Sequence, residues 1–170
     1  QTKALKEYQG TPSPQEDLEK IPMLRREDIS RECEEIVCRK QQLGGIPVLF
    51  SPMFTAGIGY ISLLFDTKGI PQEDLPYVGL LKSVLGYVDT ENYWYEDLTS
   101  EIYLNSGGID FSVTSYANLK EPENFTGAFE ARAKVLYDKA DFAFSILAEM
   151  LTRSKLDDEK RLGEILAETR

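Results

Sequence analysis

Protein chemistry needs nucleophiles, bases or metal ligands at workable spacing, and here the supply is narrow. The 170 residues contain no histidine. Ser51, Ser106 and Ser112 therefore lack the imidazole that would activate a serine hydroxyl, which removes a Ser-His-Asp triad. The two cysteines are Cys33 and Cys38. Residues five apart on a strand point to opposite faces, so this spacing argues against a disulfide between them. Zinc would need more ligands at short spacing, and none follow. Both read as ordinary thiols in a reducing compartment. Glu96, Asp97 and Glu101 place three carboxylates on one predicted helix, which either hold a cation or form a solvated face. Tyr87, Tyr93, Trp94 and Tyr95 form an aromatic group that either lines a ligand cavity or packs where two helices meet. Asn124-Phe125-Thr126 matches a glycosylation acceptor, which has no role in an intracellular chain.

Composition sets the frame for these groups. Hydrophobic residues make up 42% of the chain, enough for a packed core. No apolar run approaches the ~18 residues that would span a membrane. Gln1–Lys6 lacks the apolar stretch of a signal peptide, and the missing initiator Met predicts an excised fragment. The net charge of −10 argues against nucleic acid, whose binding concentrates Lys and Arg. Such acidity serves solubility, or steers a basic partner.

The elements follow from periodicity and punctuation. Residues 1–29 mix charges, leucines and prolines without a core-sized apolar face, and read as a linker or arm. A domain is expected from Ser30 onward. Alternation over Glu34–Lys40, a glycine pair at Gly44-Gly45 and the apolar run Ile46–Phe50 predict a hairpin. Ile58–Phe65 is apolar on both faces, which predicts a central strand. Pro76 suits the first position of a helix running to about Val88. Gly79 and Gly86 within it imply close packing against another backbone. A second helix spans about Glu96–Ser106, with Gly107 as a stop in the φ > 0 region. Ile109–Ala117 and Phe125–Leu136 alternate as strands. Asp138 or Asp141 can cap the next helix, and Asp157 or Asp158 the last. That last helix is still running at Arg170, which predicts further chain in a parent protein. Its Leu162, Ile165 and Leu166 would then need cover, so self-association, a homodimer, is expected of the fragment. The order β-β-β-α-α-β-β-α-α with short connections implies an α+β fold, a mostly antiparallel sheet with helices on one face.

Several stretches together carry a family resemblance. They are Ile21-Pro22-Met23-Leu24 with Asp28-Ile29; Gly57-Ile58-Gly59-Tyr60 leading to Leu64-Phe65-Asp66-Thr67; Leu75-Pro76-Tyr77-Val78 with Leu80; Tyr95 through Gly107-Gly108-Ile109; and Lys160-Arg161-Leu162 with Ile165-Leu166. The chain resembles the presequence-protease branch of the pitrilysin/insulinase-type zinc metallopeptidases. It is similar to the associated, third-domain region that opens the second half of those chains.

The resemblance implies two similar halves, each a pair of mitochondrial processing peptidase type α+β domains. A helical hairpin joins them, and they close around an unstructured peptide. It implies that residues 1–29 end the linker and that residues 30–170 are a non-catalytic domain, incomplete at its C-terminus. The catalytic domain of the family carries H-x-x-E-H and zinc. Here Gly79 and Ser83 fall at the histidine places and Lys82 at the glutamate place, so no catalytic or metal residue carries over. The expected role is a wall of the substrate chamber, with Tyr87, Tyr93, Trp94 and Tyr95 as lining candidates and zinc bound elsewhere in the parent. The implied partners are the remaining domains of the same polypeptide and the peptide, with no membrane. The implied location is the bacterial cytoplasm, or an organelle matrix in a eukaryote. The competing reading is a stand-alone α+β interaction module, which a reading frame of only this length would favour.

Overall fold

The computed structural model describes residues 2–32 and 35–168. Cys33, Glu34 and the end of the chain at Arg170 lie outside them, so the paired-thiol question and the helix end at Arg170 do too. By contacts the chain forms two compact units, Gln1–Met53 and Phe54–Arg170.

The first unit holds α1 (Thr2–Gly10), α2 (Gln15–Leu18), a short 3-10 turn (Arg26–Asp28) and a hairpin of β1 (Arg39–Leu43) and β2 (Ile46–Phe50). Neither helix buries a residue, as their mixed composition predicts. Gly44 and Gly45 both take positive φ, 57° and 85°, so the two-residue turn twists with its strands. The strand expected at Glu34–Lys40 lies later, at Arg39–Leu43. Cys38 precedes it and is exposed. The hairpin forms a two-stranded sheet of its own, where the sequence reading joined it to one sheet.

The second unit is built on β3 (Ile58–Asp66), β4 (Ile109–Ala117) and β5 (Phe125–Leu136), antiparallel in the order β3-β5-β4. The central strand is therefore β5, and Ile58–Phe65 lies at an edge of this sheet, contrary to expectation. The physical reason lies in side-chain size and in which faces are covered. Small Ala128, Ala131 and Ala133 with Val135 are buried along β5. The second apolar face of β3, Tyr60 and Leu64, is exposed.

Helices cover one face. Ala143 and Leu147 of α5 (Ala140–Arg153) pack on Ala131, Ala133 and Val135, flanked by Ile61, Leu63, Ile109 and Phe111. Leu98 and Ile102 of α4 (Tyr95–Asn105) join Ile146 and Met150 of α5. Val84 at the end of α3 (Leu75–Val84) packs with Val88 and with Ile165 of α6 (Glu159–Glu168). Leu162 lies against that cluster, and Leu166 is exposed. The whole is an α+β fold.

Helix ends differ from expectation in three places. The first helix of the pair stops at Val84 rather than Val88. Gly86 follows at φ 86°, with Met150 Cε 2.9 Å from where a Cβ would sit, so this glycine makes both the turn and the close approach. Gly79 has nothing within 4 Å of its Cβ position, so close packing does not explain it. After α4, Ser106 closes the helix with an extended backbone and Gly107 does not take positive φ. Gly107 instead lies against β5, where a Cβ would come 2.7 Å from Lys134 Cε. Helix α5 starts after Lys139 with no side-chain cap from Asp138 or Asp141. Asp158 does cap α6: its Oδ1 accepts the Arg161 N–H at 3.0 Å.

Candidate functional site

The loop Asp89–Trp94 joins α3 to α4, and its backbone is held from several sides. The Glu91 N–H donates to the Arg153 carbonyl at 3.0 Å, and the Lys155 N–H donates to the Asp89 carbonyl at 2.8 Å. The buried Glu149 carboxylate of α5 accepts the Asn92 backbone N–H at 3.1 Å and its side-chain Nδ2 at 2.9 Å. Arg153 Nη1 donates to the same carboxylate at 3.3 Å. Burial pushes the Glu149 carboxyl up, but hydrogen bonds from Thr90 and Asn92 and the Arg153 charge outweigh it and hold it below the ordinary range. Glu149 is therefore an ionised anchor for the loop. At the loop's end Asp89 Oδ1 accepts the Tyr95 N–H at 2.8 Å, satisfying one of the open donors of α4.

This anchoring positions a cavity of about 490 Å³, lined by Val88, Asp89, Trp94, Tyr95, Lys155 and Arg161 among others. The Arg161 guanidinium lies 4.0 Å from the centre of the Tyr95 ring. Its Nε donates to the Tyr87 carbonyl at 2.9 Å, and Glu164 pairs with Nη1 at 3.3 Å. Lys155 Nζ lies 5.6 Å from the centre of the Trp94 ring. The Tyr95 hydroxyl donates to Glu96 Oε1 at 3.1 Å, and that bond with the Glu96 charge raises its pKa. Trp94 is 68% exposed, a large aromatic held in solvent on an anchored loop.

The four aromatic candidates do not act as one group. Trp94 and Tyr95 line the cavity. Tyr87 reaches it through its carbonyl on Arg161, while its side chain is exposed. Tyr93 turns inward against the Leu98, Ile146 and Met150 cluster. Lys155 and Arg161 escaped the sequence reading because they come far later in the chain, and only the packing of α6 and the segment before it brings them in. Of the acidic group, Glu96 accepts from Tyr95 and Glu101 Oε2 accepts Asn105 Nδ2 at 3.0 Å. Among the described residues, no three His, Cys, Asp or Glu side chains are gathered so that they could hold a metal ion.

A second polar group sits on the helix-free face of the sheet. Glu130, only 3% exposed, accepts from Arg132 Nη2 at 2.6 Å and from the Tyr116 hydroxyl at 3.2 Å. Alternation along β5 marks Glu130 as solvent-facing; its burial comes from neighbours on three strands. The turn of α3 that aligns with a zinc motif does not fit the metal: Gly79 has no side-chain donor and the Lys82 ammonium would repel a cation.

The family model for the associated region of peptidase family M-16, subfamily C, matches residues 1–170. The chain belongs to this peptidase-associated family. Protein HypA of Clostridium perfringens is 39% identical over 168 residues, covering 99% of this chain and 17% of that protein. Presequence protease 1, chloroplastic/mitochondrial, of Arabidopsis thaliana is 28% identical over 170 residues, with 99% and 16% covered. The mitochondrial presequence protease of Yarrowia lipolytica is 26% identical over 153 residues, with 89% and 15% covered. This peptidase-associated chain thus spans about one sixth of the length of the curated relatives it matches. Among the described residues, no helix is long and apolar enough to cross a membrane.

Proposed function

We propose that this peptidase-associated chain is a non-catalytic segment of a zinc metalloendopeptidase acting on unstructured peptides, and that it forms part of the wall of the substrate chamber. Residues 1–29 end a helical linker, and residues 30–170 belong to the third of four related domains. Zinc, bound elsewhere in the polypeptide, would supply an activated water. The observation that carries the wall reading is Trp94: exposed, beside a cavity, and held on a loop that the buried Glu149 anchors. Anchored loops with exposed aromatics are where ligand contact concentrates, because the ring buries large area with little loss of conformational freedom. The names of the relatives, which include presequence proteases, support a peptide as the ligand. The same names support an organelle matrix in eukaryotes, and the bacterial relative supports a cytoplasmic setting in bacteria.

The test uses the full polypeptide that carries this segment, with a fluorogenic unstructured peptide. Trp94→Ala should raise KM severalfold while leaving kcat nearly unchanged, the signature of lost uniform binding. An unaltered KM would remove Trp94 from the chamber wall. A full polypeptide without zinc-dependent peptidase activity would overturn the whole reading.

A further inference from the structure

The helix-bearing face of the sheet is longer than the helix layer that covers it. Register places Ile61, Ala133 and Ile109 in one row and Leu63, Ala131 and Phe111 in the next, both under α5. The following row is Phe65, Phe129 and Val113. There the cover stops: Phe129 is still buried, but Phe65 and Val113 are each 46% exposed. Two side-chain steps further, Phe125 pairs with Ala117 on the same face and is 62% exposed.

The rings are already ordered for contact. Phe129 stacks on Phe111 with centroids 5.9 Å apart and meets Phe65 at 6.4 Å. From Phe129 to Phe125 the strand advances about 13 Å, close to one helix diameter. A contiguous apolar strip of that width, on the face that already carries helices, matches one more helix laid beside α5.

We infer that a helix from another part of the same polypeptide docks across Phe65, Val113 and Phe125 and completes the helix layer. The inference rests on the reading that these residues are one segment of a longer peptidase. The relatives supply the reason to choose that occupant: this chain covers 17% and 16% of two of them, so most of such a polypeptide lies outside these residues. A flat strip without a strand edge or a deep pocket offers an extended peptide neither backbone pairing nor side-chain sockets, so peptide is the poorer match.

The experiment places a benzoylphenylalanine photocrosslinker at Phe125 in the full polypeptide. The ring is replaced by a larger ring, so the fold is only mildly challenged. Irradiation should give an intrachain link to a helical segment outside these 170 residues. A link only to a second copy, only to an added peptide, or none at all overturns the inference. A second measurement guards against misfolding. In a Cys33→Ser, Cys38→Ser background, Val113→Cys should react with maleimide at least about tenfold more slowly in the native full polypeptide than after unfolding in urea. Equal rates with an intact unfolding transition overturn the inference independently. The two failures are distinguishable: a gene product of only this length defeats the peptidase reading, while a long, active polypeptide without the link defeats only the docking helix.

Discussion

Arg132 Nη2 lies 2.6 Å from Glu130 Oε2, two residues away on the central strand, and Tyr116 completes the carboxylate's shell from the neighbouring strand. The Arg132 hydrogen bond, opposed by burial, holds the Glu130 carboxyl below its ordinary 4.5. Glu149 is shifted in the same direction. A depressed folded pKa contributes stability that is present above the unfolded value and is lost as pH falls through the folded one. Unfolding free energy measured by urea titration should therefore be flat near neutrality and decline below about pH 4.5. Glu130→Gln should lower stability at neutral pH and reduce that acid slope. An unchanged slope would show that the pair carries no pH linkage.

Two glycines on the same stretch should respond in opposite ways. Gly79→Ala lies within α3 with open space around it and should stabilise by about 0.5–1 kcal/mol. Gly86→Ala must adopt a left-handed backbone, costing about 1–2 kcal/mol, and must also displace Met150 Cε. Thermal unfolding of the two variants side by side checks the sign difference.

Ser112 Oγ is buried without a hydrogen-bond partner among the described residues. Removing it removes a desolvated polar group and little packing. Ser112→Ala should leave stability unchanged or raise it by up to about 1 kcal/mol in chemical denaturation. A loss larger than that would mean the hydroxyl has a partner, such as an ordered water.

Loop anchoring gives a fourth expectation. Glu149→Gln keeps the shape but loses the charge that accepts from Asn92 and Arg153. Amide hydrogen exchange at Asn92 and Tyr93 should accelerate, while exchange in β5 stays the same. Acceleration throughout the unit would instead indicate global destabilisation.

Catalysis supplies the last. With no histidine in the chain and Lys82 at the base position, the 170-residue segment reloaded with zinc should not cleave an unstructured peptide. Zinc-dependent cleavage by pure segment would contradict that.

The sequence by itself settled what depends on neighbours along the chain. Alternation set β4 and β5 to the residue, Ile109–Ala117 and Phe125–Leu136. The Gly44-Gly45 pair set the hairpin turn, Asp158 set the start of α6, and the missing histidine excluded a zinc motif. These are local matters of dihedral preference, hydrogen-bond capping and ligand chemistry. Tertiary structure decided what depends on partners far along the chain. Two apolar faces made Ile58–Phe65 look central, yet strand order is set by which neighbour fits, and the small residues of β5 took the middle. Glycine type alone did not distinguish Gly79 in open space from Gly86 against Met150 or Gly107 against Lys134. The aromatic group likewise split, Tyr93 inward and Trp94 outward, because the packing of α5 and α6 on the loop, rather than residue type, determines which ring is covered.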